Sequence, residues 1–480
     1  MLDSMARFSS IKVTKSQEKL CSEVSQTEVS SKRLKLSSSF SNENPRLIPS
    51  LPDEISHQIL ARIPRIYYLG MKLVSRSWKA AITSAEIYQI RKELRTTEEW
   101  LYILMKAEED KLCWHALDPS AGKWQRLPPM PNLVCEEKSK RGISGFLMCN
   151  MMDSSIRIAD VILGWLGRKD VFERLPFCGC AIGTVDGCLY VLGGFSRAFA
   201  MKCVWRYDPV VNMWEEVSSM TTGRAFCKAS LLNDKLYVVG GVCKGRGGLT
   251  PLQSAEVYDP KTGFWTEVKK MPFSKAQTLP TAFLAELLKP IATGMTTYRG
   301  KLCVPQSLYS WPFFVDVGGE IYDPETDLWA DMPAGMGEGW PARQVGTKLS
   351  VVVNGELYAL EPSSSLDCGK IKIYDHQEDA WKVVFDKVPV LNFTDADSPN
   401  LLAGFSGTLH LITKNADNGT AIWQADLKKQ ICSRKNESFF GASTSSESHV
   451  SSEAEADVWK VIAVKNFGAA ELASCLVLDI

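Results

Sequence analysis

Few side chains in this chain are spaced for catalysis. The five histidines, His57, His115, His376, His410 and His449, lie far apart and show no metal-ligand spacing. The fourteen cysteines are scattered. Cys178 and Cys180 form the one close pair, and no second pair completes a zinc set. Gly245-Arg246-Gly247-Gly248 is glycine-rich but leads into no helix, so it lacks the amides and dipole that cradle a phosphate. No Ser/His/Asp grouping emerges from order alone. No metal and no cofactor is expected. What remains is recognition chemistry: Arg197, Arg224, Lys244, Arg246 and Arg343 recur in connecting segments. Guanidinium forks suit carboxylate and phosphate.

Whether those cations share a surface depends on the elements that carry them, and here the chain repeats itself. Tyr207-Asp208-Pro209 is followed by Trp214, six residues after the Asp. The same interval joins Asp259 to Trp265, Asp323 to Trp329, Asp375 to Trp381 and Asp118 to Trp124. A second marker precedes the Asp, a Gly or Asp turn and then a Leu-led apolar run at Leu189, Leu236, Leu302, Leu357 and Leu409. Two markers in fixed order at about fifty residues indicate a repeat architecture. Each repeat has room for four short strands, a to d. Strand b is the Leu-led run, c ends at the Asp, and d begins at the Trp. The Asp and Pro suit a tight turn between c and d. Gly193-Gly194 and Gly240-Gly241 end strand b, and the Trp supplies apolar area to pack between sheets.

In such a unit the d–a and b–c connections lie on one face, and a–b and c–d on the other. The five cations then fall on the d–a/b–c face. The Trp-to-Leu interval is 65 residues after Trp124 and 37 after Trp265, against 22 to 28 elsewhere. Two connections, 131–176 and 272–292, are therefore enlarged on that face. The first carries Ile158, Val161, Ile162, Trp165 and Leu166 at helical spacing, the second Phe283, Leu284, Leu287 and Leu288.

Upstream the texture differs. Residues 1–46 are rich in Ser, Glu and Lys and read as disordered. Lys32-Arg33-Leu34-Lys35 within them reads as a nuclear-import patch or as a solvated charge run. From 47 to 90, Ile55, Ile59, Leu60 and Ile63 recur at helical spacing, Pro64 stops the helix, and Leu69, Leu73, Val74 and Trp78 form a second stripe. A unit of this size has too little core to stand comfortably alone, so a partner is expected to complete its apolar face. A linker helix is expected over 91–99, as strut or hinge.

The stretch Leu51-Pro52-Asp53-Glu54-Ile55 with Ile59-Leu60-Ala61-Arg62-Ile63-Pro64 and Val74-Ser75-Arg76-Ser77-Trp78 resembles an F-box. The resemblance implies docking to a Skp-type adaptor of a cullin–RING ubiquitin ligase, through Leu51, Pro52, Ile55, Leu60, Ile63, Pro64, Leu69, Val74 and Trp78. The repeats resemble kelch repeats, fully at Leu189 to Trp214 and Leu236 to Trp265 and without the diglycine elsewhere. The order of the two resembles plant-type F-box/kelch-repeat proteins. The expected fold is thus a small all-α F-box domain followed by an all-β six-bladed kelch-type β-propeller over 100–480.

The first repeat lacks its own strand a, while Ala473 to Leu478 is a strand without a repeat. The economical solution is that the latter closes the first blade. The sixth blade takes Trp459 as its strand-d Trp, after a Ser/Glu-rich insertion at 428–457 expected to be disordered. The resemblance implies a non-catalytic substrate receptor of an SCF ligase that binds an unidentified protein. A scaffold without ligase activity and a copper-oxidase-like propeller are the rivals, and the second would need several His with Tyr and Cys near the axis where the chain has only five histidines in all. The formal net charge of zero gives no basic field for nucleic acid, and no run of about 18 apolar residues suits a membrane. Reduced cysteines without a secretory signal point to cytoplasm or nucleus.

Overall fold

The computed structural model describes residues 46–107, 112–131, 179–196, 199–245, 248–269, 290–310, 313–340, 349–361, 369–386, 388–389, 400–415, 417, 419–426 and 458–480. The segment 1–45, the basic patch at Lys32, both apolar stripes of the enlarged connections, and the insertion after residue 426 lie outside these residues.

Six four-stranded antiparallel blades follow the expected a–b–c–d order. Blade 2 is Ala181–Val185, Cys188–Leu192, Val204–Asp208 and Met213–Val217. Blade 3 is Lys228–Leu232, Lys235–Val239, Ala255–Asp259 and Phe264–Val268. Blade 4 is Thr296–Tyr298, Lys301–Ser310, Phe313–Asp323 and Leu328–Asp331, with Ile291–Ala292 pairing further along its strand b. Blade 5 is Ser350–Val353, Glu356–Glu361, Lys370–Asp375 and Ala380–Phe385. Blade 6 is Leu401–Phe405, Thr408–Lys414, Gly419–Ala425 and Trp459–Asn466. The six strands a touch one another in an unbroken ring, so they are innermost and surround the axis.

Blade 1 takes its strand a, Glu471–Asp479, from the far end of the sequence, beside Glu99–Lys106, Leu112–Asp118 and Lys123–Arg126. Leu101 faces Val477 and Ile103 faces Cys475, with a bulge after Leu104. The expected closure is present, and it leaves no open sheet edge between blades 6 and 2.

The two sequence markers are two turns. The five a–b turns within continuous chain have two residues each, and both residues have positive φ: Asp186-Gly187, Asn233-Asp234, Arg299-Gly300, Asn354-Gly355 and Ser406-Gly407. This is the type I′ geometry that matches strand twist. In the c–d turns the Asp carboxylate accepts from the amide two residues on, at 2.9 Å for Asp118, 2.7 Å for Asp208, 2.9 Å for Asp259, 3.0 Å for Asp323 and 2.9 Å for Asp375. The Trp then fastens blade to blade. In blades 2 to 5 the indole N–H donates to a carbonyl beyond strand d of the preceding blade: Trp214 to Pro128 at 3.0 Å, Trp265 to Ser218 at 2.8 Å, Trp329 to Lys269 at 2.7 Å, and Trp381 to Met336 at 2.9 Å. The ring body fills the gap between sheets while its polar edge is satisfied.

The N-terminal unit holds four helices: α1 (Asp53–Ala61), α2 (Tyr68–Met71), α3 (Arg76–Ile82) and α4 (Ala85–Glu93). Ser75 and Ser84 cap α3 and α4 by accepting from Trp78 N and Ile87 N. Leu47, Leu60, Ala61, Tyr68, Ala81, Ile82 and Ile87 form its core. The helix expected at 91–99 is α4, which starts six residues earlier and packs into this core through Ile87, Ile90 and Leu94. Its apolar spacing serves the helical unit, so it belongs to that unit and does not stand free between domains.

Candidate functional site

Two surfaces on opposite faces carry the candidate residues. The first is on the helical unit. Pro52, Ile55, Pro64, Leu69 and Val74 are exposed, and Leu51 is half-buried. Val74 is 62 % exposed and its neighbour Leu73, which the sequence reading left out, 85 %. Ile59, one turn after Ile55, is exposed as well. Helical spacing alone flags Ile59 and Leu73 but cannot say which face of so small a unit points outward. Leu60, Ile63 and Trp78 turn the other way. Leu60 is fully buried, so its place among adaptor-contacting residues is corrected: it holds the helices together. Ile63 and Trp78 are half-buried against the same core, and the Trp78 indole donates to Leu47 O at 2.9 Å. Thirteen large apolar residues are exposed among the described ones, and six of them (Ile55, Ile59, Tyr67, Leu69, Leu73 and Val74) fall in one stretch of twenty residues. Such clustering marks an interaction surface, where scattered single residues would not.

This unit sits on the a–b/c–d face. The Arg65 guanidinium donates to Pro209 O, and Lys72 Nζ to Val210 O at 2.8 Å, both in the c–d turn of blade 2. Tyr88 OH donates to Asp479 O at 3.1 Å, and the Lys123 ammonium lies 5.5 Å from the Tyr67 ring centroid. Gly187, in the a–b turn of blade 2, lies so close to the Tyr88 ring that an added Cβ would come within 2.8 Å of it. Glu98 locks the joint. Its carboxylate accepts from Arg91 at 2.9 Å, from Arg65 N at 3.0 Å and from the Trp100 indole at 3.0 Å. Its backbone exchanges two hydrogen bonds with Ile480. Arg91 is buried and also donates through Nη1 to Ala61 O and Ile63 O, so helices and ring meet through one hydrogen-bonded network. The connection is a strut.

The opposite face carries unequal structures. The b–c connections of blades 2 and 3 rise as ribbons, Phe195–Ser196 with Phe199–Ala200 and Val242–Gly245 with Gly248–Pro251. In blade 4, strands b and c themselves run on to Ser310 and Phe313. Arg197 and Arg246 fall between the paired ribbon strands and, like Arg343, lie outside the described residues. Lys244 is on the blade 3 ribbon.

Arg224 is a correction. It is fully buried, and every donor direction is used: Nε and Nη2 to Glu256 Oε1 at 3.0 and 2.8 Å, Nη1 to Gly240 O and Ser254 O, and Nη2 also to Ser254 Oγ. Thr221 N and Thr222 N complete the carboxylate at 2.7 and 3.2 Å. Burial pushes the Glu256 carboxyl up, but the Thr221 bonds and the Arg224 charge outweigh it and hold the group below its ordinary value. Arg224 therefore staples the d–a connection to the diglycine end of blade 3 and is closed to a ligand. The partner, Glu256, lies 32 residues away, and nothing in local spacing announces it.

The described histidines form no cluster. His410 stacks on Phe405 in blade 6, His115 lies against Phe467 in blade 1, and burial pushes both down to about 4. No group of three His, Cys, Asp or Glu able to hold a metal occurs among the described residues, and no helix among them is long and apolar enough to cross a membrane.

Comparison with known proteins fits this division. The F-box domain model matches residues 48–90, and the Kelch motif model matches 176–221 and 223–272. An Arabidopsis thaliana relative, "F-box/kelch-repeat protein At1g22040", is 60% identical over 94% of this chain and 95% of its own length. The chain belongs to the F-box/kelch-repeat proteins. A second Arabidopsis relative, "F-box protein AFR", is 27% identical over 65% of this chain and 68% of its own. A third, "F-box/kelch-repeat protein At1g30090", is 28% identical over 68% and 67%. Membership of the F-box/kelch-repeat family implies a substrate-receptor role in an SCF complex, reached through a Skp-type adaptor.

Proposed function

We propose that this F-box/kelch-repeat protein is the non-catalytic substrate-recognition subunit of an SCF ubiquitin ligase in cytoplasm or nucleus. Its helical unit docks a Skp-type adaptor through Leu51, Pro52, Ile55, Ile59, Leu69, Leu73 and Val74. The ribbon-bearing face of the propeller takes the protein to be ubiquitinated. The observation that carries this reading is the run of exposed apolar side chains on a unit that is seated on the propeller through other residues, Arg65 and Lys72 among them. A scaffold without an adaptor would gain nothing from that exposure. The helices occupy the flat face, so the face with ribbons and enlarged connections stays free, and Arg197, Lys244, Arg246 and Arg343 are assigned to it.

Co-purification with a Skp-type adaptor tests the first half. The native chain retains the adaptor, and the Leu51→Ala/Pro52→Ala double variant loses it while the propeller remains folded by circular dichroism. Equal retention by both overturns the ligase reading. For the second half, proximity labelling compares the native chain with an Arg197→Ala/Arg246→Ala/Arg343→Ala variant. The variant loses its captured proteins and keeps the adaptor. An unchanged set overturns the assignment of that face.

A further inference from the structure

The inner ring of strands contains one side chain that departs from the repeat. Five residues before each a–b turn stand Ala181, Lys228, Gly294, Leu349 and Leu401 in blades 2 to 6. Four of these are small or apolar, and one is a lysine. Among the described residues Lys228 is the only cation on the six innermost strands. It opens strand a of blade 3, at the d–a end, and so lies at the mouth of the axis on the ribbon-bearing face. Its strand partner is Val239, the residue before the diglycine Gly240-Gly241.

Alternation along the strand sets its direction. Ser230 Oγ lies 2.9 Å from Thr297 Oγ1 of blade 4, and Leu232 packs in the core shared with that blade. Lys228 is on the same side of the strand, and so projects between blades 3 and 4. No hydrogen bond or ion pair to the Lys228 side chain occurs among the described residues. Of the carboxylates on neighbouring strands, Glu256 is held by Arg224 and the Thr221 and Thr222 amides, and one oxygen of Glu320 accepts from Gln306 at 3.1 Å. Burial pulls the Lys228 amine down to about 8, opposed only by the adjacent Cys227, whose thiol burial itself pushes up to about 11. An ammonium half-withdrawn from water with no counter-charge among the described residues is unfavourable for the fold alone. It is favourable once an anion arrives.

We propose that the mouth of the axis between blades 3 and 4 is an anion receptor in which the Lys228 ammonium takes a carboxylate or phosphate carried by the bound protein segment. The assignment of the anion to a protein rests on the ribbon-bearing face being the substrate side; the receptor itself does not.

Competitive trace acetylation of the full chain with its adaptor, read by mass spectrometry at Lys228, tests it at constant ionic strength. Three probes are compared: inorganic phosphate, acetylated hexaglutamate amide and acetylated hexaglutamine amide. Hexaglutamate slows acetylation of Lys228 at least fivefold and hexaglutamine does not. Protection by phosphate without protection by hexaglutamate overturns the peptide assignment in favour of a small free anion. Protection by neither overturns the receptor. Lys228→Met supplies the second readout. The variant keeps its adaptor and melts at or above the native temperature, yet loses captured proteins, and Lys228→Arg restores them. A lower melting temperature for Lys228→Met assigns the lysine to structure and overturns the inference. Persistent capture in that variant overturns it while leaving the ligase reading intact. Loss of the ligase reading, through an unaltered Leu51→Ala/Pro52→Ala variant, leaves the acetylation result standing.

Discussion

In blades 2 to 5 one face of the propeller is built from the same two turns, two residues between strands a and b and four between c and d. The other is built from ribbons and connections of unequal length. Short turns of fixed type hold strand register, and they leave a level platform on which Arg65, Lys72 and Tyr88 seat the helical unit. Long, dissimilar connections hold no register and are free to differ, which is the property a recognition surface needs. The contrast teaches that depth matters as much as face. Arg224 belongs to the uneven side by sequence, yet it lies beneath that surface and does the work of a staple.

The harshest test of the contrast falls where the platform has a gap. In blade 1 no turn joins strands a and b; Glu98 and Ile480 meet by hydrogen bonds alone. Deleting residues 471–480 removes strand a of blade 1 and that meeting together. The truncated chain is expected to aggregate or to lose its cooperative thermal transition, and light scattering with calorimetry checks it. A truncated chain that melts like the native one shows that the ring closes elsewhere.

Next in size is the buried staple. Arg224→Met strands the Glu256 carboxylate and is expected to cost about 3–5 kcal/mol in denaturant unfolding, without changing adaptor binding. The pH dependence follows from the depressed Glu256 value. A carboxyl held low in the folded state contributes stability that is full above its unfolded value near 4.5 and is lost as pH falls through the lower folded value. The native chain should therefore lose stability on acidification in that window, and Glu256→Gln, already weakened, should show a shallower loss. Parallel curves for the two place the acid sensitivity at another group.

Changes on the exposed helical surface should do the reverse. Leu73→Asp with Val74→Asp removes two side chains that a partner would bury, about 3 kcal/mol or more, equivalent to at least a hundredfold in adaptor affinity. The melting temperature should move little, because neither residue packs inside the chain. Calorimetric titration with the adaptor reads the first number and thermal melting the second.

The smallest effect belongs to the platform turns. Arg299 holds a φ of 48° in a position that suits Asn or Gly. Arg299→Asn is expected to raise stability by about 0.5–1 kcal/mol with capture and adaptor binding unchanged.

Much of this was legible because turns are local. The Asp, the Trp six residues later and the turn before each Leu-led run mark strand ends through chemistry confined to a few residues, so blade count and closure could be read from spacing. Side-chain burial is set by residues brought from elsewhere. Nothing near Arg224 predicts Glu256, and nothing near Leu60 says whether it or Ile59 faces outward on the same helix. Lys228 is inconspicuous in the sequence for a related reason. In Lys228-Ala229-Ser230 it resembles the polar start of any strand, and its isolation becomes visible only when the other five inner strands stand beside it.

The pairing of Glu471–Asp479 with Glu99–Lys106 has a temporal consequence. During synthesis on the ribosome the helical unit and strand b of blade 1 emerge early, and that strand waits with one edge open until almost every other blade has been made. Loop closure over so long a stretch is slow, so the nascent chain carries a sticky edge through most of its translation. The same late strand brings Ile480 to Glu98 and Asp479 to Tyr88, and thereby completes the seat of the helical unit. A product whose translation stops early would carry an adaptor-binding surface without a firm mount for it, and proteostasis machinery would meet it as an open sheet.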